Sequence, residues 1–252
     1  MTMSSLVYLW GPPRSLSTAF VRMMLERGDF TVVHEPFSSI VVAGYTVLGR
    51  EKFSDPHQFY RRLHDLAVDT PVFVKETTEY RYSFVDDREF LSRGTHTFII
   101  RDPRAVIPSH YAMNPKVTLA EVGFEHQLEI FRKVHEATGE QPFVLEAEQL
   151  TADPWTTVRR YCAHLGIPFI ASALHWQPGD CQEWSRTAEW HRDVANSSGF
   201  SARARHYDVR VDNSRKLAGF YDYHRTFYEQ LRSRANTAEQ HEEPTGGAGI
   251  RP

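Results

Sequence analysis

Short apolar runs and longer stretches of helical period alternate along this chain. Leu6–Trp10, Phe30–Val33, Val72–Lys75, Thr97–Ile100 and Phe143–Glu146 read as strands. Between them Ser17–Arg27, Pro56–Asp69, Asp87–Arg93, Pro103–Ala112, Leu119–Thr138 and Pro154–Leu165 read as helices, and Tyr223–Arg234 as the last one. In the first helix Phe20, Met23, Met24 and Arg27 fall at i, i+3, i+4 and i+7. Gly28 stands where a left-handed cap ends it, and Ser17 or Thr18 can cap its start. Strand followed by helix, repeated, predicts an α/β fold in three layers, a central parallel sheet flanked by helices. No internal repeat is visible. From Ala235 onward the chain is polar and glycine-rich without periodicity, which predicts one domain over 1–234 and a disordered tail over 235–252.

Composition narrows the class. A chain of 252 residues, 41% hydrophobic and 13% aromatic, has ample material for one large core. A net charge of -3 gives no global attraction to nucleic acid or to anionic membranes, so any anion binding must be local. Cys162 and Cys181 are too few for a disulfide framework and fit a reducing compartment. No run approaches the roughly 18 apolar residues of a membrane span, and no basic segment precedes an apolar one as in a secretory signal. A cytoplasmic protein is expected. The histidines show no H-E-x-x-H or paired-cysteine spacing, so no metal is expected.

The candidate chemistry begins where the first strand meets the first helix. There Gly11, Pro12, Pro13, Arg14, Ser15, Leu16, Ser17 and Thr18 place one arginine and three hydroxyls in a turn. Such a turn aims backbone N–H groups and the positive end of a helix dipole at one spot, where phosphate or sulfate binds. It is not a nucleoside triphosphatase loop: the GxxxxGK pattern requires a second glycine and a lysine, and Leu16 and Ser17 stand in their places.

The turn resembles the 5′-phosphosulfate loop of sulfotransferases that use 3′-phosphoadenosine 5′-phosphosulfate (PAPS), particularly the bacterial form reading PRSxST. The resemblance implies a P-loop NTPase-like fold, PAPS as co-substrate without a metal, and Pro13, Arg14, Ser15, Leu16, Ser17 and Thr18 as the residues on the phosphosulfate. The eukaryotic cytosolic branch carries lysine at the place of Arg14. A second motif agrees. Thr97–Ile100 is followed by Arg101-Asp102-Pro103-Arg104, with Ser109 eight residues after Arg101. In the family this spacing binds the nucleotide's 3′-phosphate, which assigns that role to Arg101 and Ser109. An arginine at the carboxyl end of a parallel strand faces the ligand crevice, and a serine in the next helix adds a donor to the same dianion. Glu146 through Phe169 is similar to a structural stretch of the same family. The aromatic segment from Trp176 to Phe200 resembles the part that closes over PAPS and acceptor, with Arg203 and Arg205 as candidate nucleotide contacts.

Sulfuryl transfer needs cations on the leaving phosphate and a base on the acceptor hydroxyl. The strand Thr31-Val32-Val33 delivers His34 and Glu35 to the sheet's carboxyl edge, beside the phosphosulfate loop if the first two strands are neighbours. In bacterial relatives with a similar HEPF segment the glutamate is the base, so Glu35 is the expected base, His34 the alternative and His110 a further group. Pairing of Glu35 with Arg14 would instead make it an orienting residue with lowered pKa. Lys75 can reach the crevice and neutralise the leaving phosphate, or pair with Glu76 or Glu79 on the surface. The expected acceptor is a small-molecule hydroxyl. No nucleic-acid or membrane partner is expected, and a homodimer is left open. Two other readings stand beside this one. One is a sulfotransferase-like enzyme that activates a hydroxyl as a leaving group for later displacement or ring closure. The other is a non-catalytic nucleotide-binding module.

Overall fold

The computed structural model describes residues 5–201 and 206–239. In chain order the elements are β1 (Leu6–Gly11), α1 (Ser17–Arg27), β2 (Thr31–His34), α2 (Pro36–Ala43), β3 (Thr46–Leu48), β4 (Glu51–Phe53), α3 (Pro56–Asp69), β5 (Val72–Thr77), α4 (Arg88–Ser92), β6 (Thr95–Ile100), α5 (Pro103–Met113), α6 (Phe124–Thr138), β7 (Phe143–Glu146), α7 (Ala147–Ala152), α8 (Pro154–Leu165), α9 (Arg192–Ala195) and α10 (Arg215–Glu239). Five strands pair in the order β2-β5-β1-β6-β7, every pairing parallel, while β3 and β4 form a separate antiparallel hairpin.

The pleat sends alternate side chains of β1 into two cores. Leu6, Tyr8 and Trp10 pack with α3, α4, α6 and α10 on one face. Val7 and Leu9 pack with Phe20, Met23 and Met24 of α1 and with Val158, Tyr161 and Leu165 of α8 on the other. The expected three-layer α/β fold is therefore observed, with helices covering both faces of a parallel sheet.

Tertiary context moved several boundaries. Gly123 has φ 89°, and a Cβ there would stand 2.9 Å from the Thr78 carbonyl oxygen. The helix expected from Leu119 is consequently broken into a 3-10 turn, Ala120–Val122, and α6 from Phe124. The last helix starts at Arg215 rather than Tyr223 and continues to Glu239, past the expected start of the tail. Leu217, Tyr228, Leu231 and Ala235 bury one stripe of it against the sheet. The remainder of the expected tail, 240–252, lies outside the described residues, as do Arg203 and Arg205. Strands β1 and β2 are not neighbours, because β5 lies between them.

Candidate active site

The carboxyl ends of β1, β2, β5 and β6 open onto a cavity of about 1460 Å³. At Gly11 a Cβ would stand 2.5 Å from Ile99 Cγ2 and 2.9 Å from Ser15 Oγ, so glycine alone lets the loop turn this tightly. Among the described residues, the non-glycine positions with positive φ are Arg14 (67°), Leu16 (66°) and Glu35 (48°). All three line this cavity. Each such conformation costs on the order of 1–3 kcal/mol, and strain gathered at one place marks a functional site.

Leu16, not Ser17 or Thr18, is the N-cap of α1, and no side chain caps the helix. Its uncapped N–H groups face the loop, as an anion requires. The Ser15 hydroxyl is buried without a hydrogen-bond partner, and a buried polar atom left unpaired is costly unless a ligand serves it. Pro13, Leu16, Ser17 and Thr18 also line the cavity.

Arg14 joins the two sequence motifs. Its Nε donates to Ser109 Oγ at 2.9 Å, and its carbonyl accepts from Arg101 Nη1 at 2.9 Å. Asp102 caps α5 by accepting from the Arg104 N–H at 2.7 Å, which sets Ser109 two turns into the helix. Arg14 also reaches the segment after residue 180. Nη1 donates to the Trp190 carbonyl at 2.6 Å, and Nη2 lies 3.2 Å from Asp193 Oδ2. Thr18 Oγ1 and His191 Nδ1 are 3.0 Å apart. This segment, a 3-10 stretch Gln182–Trp190 leading into α9, thus lies directly on the loop.

Because β2 pairs with β5, His34 is in register with Lys75. Lys75 is buried and its ammonium forms an ion pair with Glu35, not with Glu76, Glu79 or the solvent. Glu35 does not pair with Arg14 either. Burial would raise the Glu35 pKa, but the Lys75 charge, with help from His34, holds it at about 2. Burial drives His34 down to about 3, with Glu35 opposing and Lys75 and His191 adding to the fall. The His34 ring stands edge-on to His191 and Trp184, with centroids 5.0 and 5.6 Å away. His110, the further candidate, is buried 3.5 Å from Glu79 Oε1.

Glu76 was not expected in the site and is its hidden support. Its carboxylate accepts from the Phe37 N–H at 2.7 Å, the Thr77 N–H at 2.8 Å and the Tyr82 hydroxyl at 3.1 Å. It ties β5 to the first turn of α2 and so holds Glu35, the N-cap of that helix, in its strained conformation. Burial, then the nearby Glu35 charge, lifts its pKa to about 7.

A family model described as "Sulfotransferase domain" matches residues 5–235, nearly the whole described chain. The chain belongs to the sulfotransferase domain family. Branched-chain-amino-acid aminotransferase-like protein 1 of Arabidopsis thaliana is 30% identical over 228 residues, covering 83% of this chain and 40% of that protein. Branched-chain-amino-acid aminotransferase-like protein 2 of Arabidopsis thaliana is 27% identical over 226 residues, covering 81% of this chain and 39% of that protein. The chain therefore spans about two fifths of the length of these curated relatives. Among solved structures, the sulfotransferase domain from the curacin biosynthetic pathway aligns with 97% of this chain and 100% of its own, at 13% identity and a TM-score of 0.47. Mouse sulfotransferase SULT7A1 complexed with PAP aligns with 94% and 89%, at 14% identity and a TM-score of 0.45.

Within this sulfotransferase domain, Arg14, Ser109 and Arg101 form one bonded group, and His34, Glu35 and Lys75 form a second on the same cavity. Trp190, His191 and Asp193 lie in the segment from Trp176 to Phe200 that was expected to close over the site, but no contact with the loop was assigned to them from sequence, nor a supporting role to Glu76. Among the described residues there is no group of three or more His, Cys, Asp or Glu able to hold a metal, and no helix long and apolar enough to cross a membrane.

Proposed function

We propose that this sulfotransferase domain moves a sulfuryl group from PAPS to a hydroxyl of a small-molecule acceptor. The observation that carries the reading is the junction at Arg14. One residue bonds both halves of the 3′-phosphate motif while standing in a strained loop at the uncapped start of α1, beside the unpartnered Ser15 hydroxyl. Arg14, Ser15 and the first N–H groups of α1 hold the phosphosulfate, and Arg101 with Ser109 holds the 3′-phosphate.

In the transfer, the acceptor oxygen bonds to sulfur as the sulfur's bond to the bridging oxygen breaks, and that electron pair stays on the phosphate. Arg14 and Lys75 neutralise it. Glu35 takes the acceptor proton. Its low pKa makes it a weak base while Lys75 is its partner. When the lysine turns to the leaving phosphate, the charge that depresses Glu35 moves away and its basicity rises. Incubation with PAPS and a panel of hydroxylated metabolites tests the reading: it requires adenosine 3′,5′-bisphosphate and a product heavier by one sulfuryl group. Nucleotide held without turnover would leave a binding module instead.

A further inference from the structure

We infer that the acceptor is a neutral alcohol with an extended apolar body, lying along α2 and the β3–β4 hairpin with its hydroxyl at Glu35. The inference rests on the transferase reading above and names the substrate of that same site. From Pro36 to Gly49 no residue carries a charge. Helix α2 starts at the reacting end, since Glu35 is its N-cap, and its eight residues carry the wall outward by roughly 12 Å. Burial falls along it: Phe37 and Ser38 are buried, Ile40 is partly covered, and Val41 and Val42 are 52% and 69% exposed. Val47 of the hairpin is 49% exposed, and it lines the cavity together with Val42, Tyr45 and Leu48.

Exposed apolar side chains grouped along a cavity wall mark a ligand surface, whereas single ones such as Val68 on α3 need no explanation. The wall offers little to a polar substrate. The Ser38 and Ser39 hydroxyls both donate to the Glu35 carbonyl, at 3.0 and 2.9 Å. Two cations meet this wall at Tyr45, the Lys52 ammonium 3.8 Å and the Arg186 guanidinium 5.2 Å from the centre of its ring. A sugar would leave its hydroxyls unpaired against the valines, while an alkyl or fused-ring body gains from covering them.

Transfer from PAPS to straight-chain primary alcohols from butanol to dodecanol tests this. Each added methylene that reaches the wall should raise kcat/KM by up to about fourfold, until the chain passes the hairpin. Val42→Asp and Val47→Asp should flatten that rise, and Val68→Asp, outside the cavity, should leave it intact. A flat or falling series, in an enzyme that binds adenosine 3′,5′-bisphosphate and sulfates glycerol or a sugar, overturns the inference and keeps the transferase reading. Failure to bind the bisphosphate at all overturns both.

Discussion

Arg14 and Ser109, ninety-five residues apart in sequence, share a 2.9 Å hydrogen bond from Nε to the serine hydroxyl. The bond makes one unit of two motifs that sequence presents separately. It also means that the Arg14 fork is filled by the protein itself, with Trp190 and Asp193 on its other nitrogens. Nucleotide binding on the proposed reading is therefore an exchange of partners. The segment carrying Trp190 and Asp193 must shift or share Arg14 when a phosphosulfate arrives.

That exchange predicts the effect of Asp193→Asn. Removing a carboxylate that competes with the incoming anion should tighten adenosine 3′,5′-bisphosphate by severalfold in calorimetry, since the partly exposed ion pair is itself weak. Unchanged or weaker binding would show that Asp193 closes over the nucleotide rather than competing with it.

The 3′-phosphate assignment predicts selectivity. Charge-assisted hydrogen bonds contribute roughly 1.5–3 kcal/mol each. Adenosine 3′,5′-bisphosphate should thus bind better than adenosine monophosphate by several such bonds, and Arg101→Ala or Ser109→Ala should erase most of the preference. Equal affinity of the unmodified protein for the two nucleotides would sink the assignment.

Local signals carried most of the fold into the sequence. Strand β7 and helices α1, α3 and α8 fall at their expected limits, because Asp55 and Asp153 cap, Gly28 and Gly166 terminate, and the apolar spacing between agrees. The order of the strands was not local information. With β5 between β1 and β2, Lys75 of β5 comes beside Glu35 instead of facing solvent. Helix α2 escaped because PFSSIVVA has neither amphipathic period nor polar face, as suits the wall of a cavity. Asp193 and His191 meet Arg14 and Thr18 through contacts made across more than 170 residues, for which no spacing rule exists.

The base is tested by substitution. Glu35→Gln should keep the affinity for the bisphosphate and lose on the order of 10²–10⁴ in kcat, the usual contribution of a positioned base. His34→Ala should cost far less. With Glu35 at about 2 and His34 at about 3 in the free protein, neither group gives kcat/KM an acid limb between pH 5 and 8. If both variants turn over at the wild-type rate, neither is the base, and His110, buried against Glu79, is the next to replace.

Acid should destabilise this fold earlier than its carboxylates alone would allow. Burial lowers His34 to about 3 and His96, His126 and His191 to about 4, all from 6.5. His96 must stay neutral to accept from Trp10 Nε1 at 3.0 Å. A group whose folded pKa is depressed binds its proton first in the unfolded chain. Stability is therefore whole above pH 6.5 and falls as pH drops toward 4, by about 1.4 kcal/mol per pH unit for each proton taken up. Glu76 acts in the opposite sense. Its pKa, raised to about 7, means the folded chain binds that proton first, which offsets one histidine between pH 7 and 4.5. Glu35, held at about 2, adds to the acid loss below pH 4.5. Urea midpoints between pH 8 and 4.5 should thus decline with a net uptake of several protons on unfolding. His126→Gln should lower that uptake by about one proton whatever it does to stability at pH 8. A midpoint that stays level from pH 7 to 5 would show that these histidines are protonated in the folded protein.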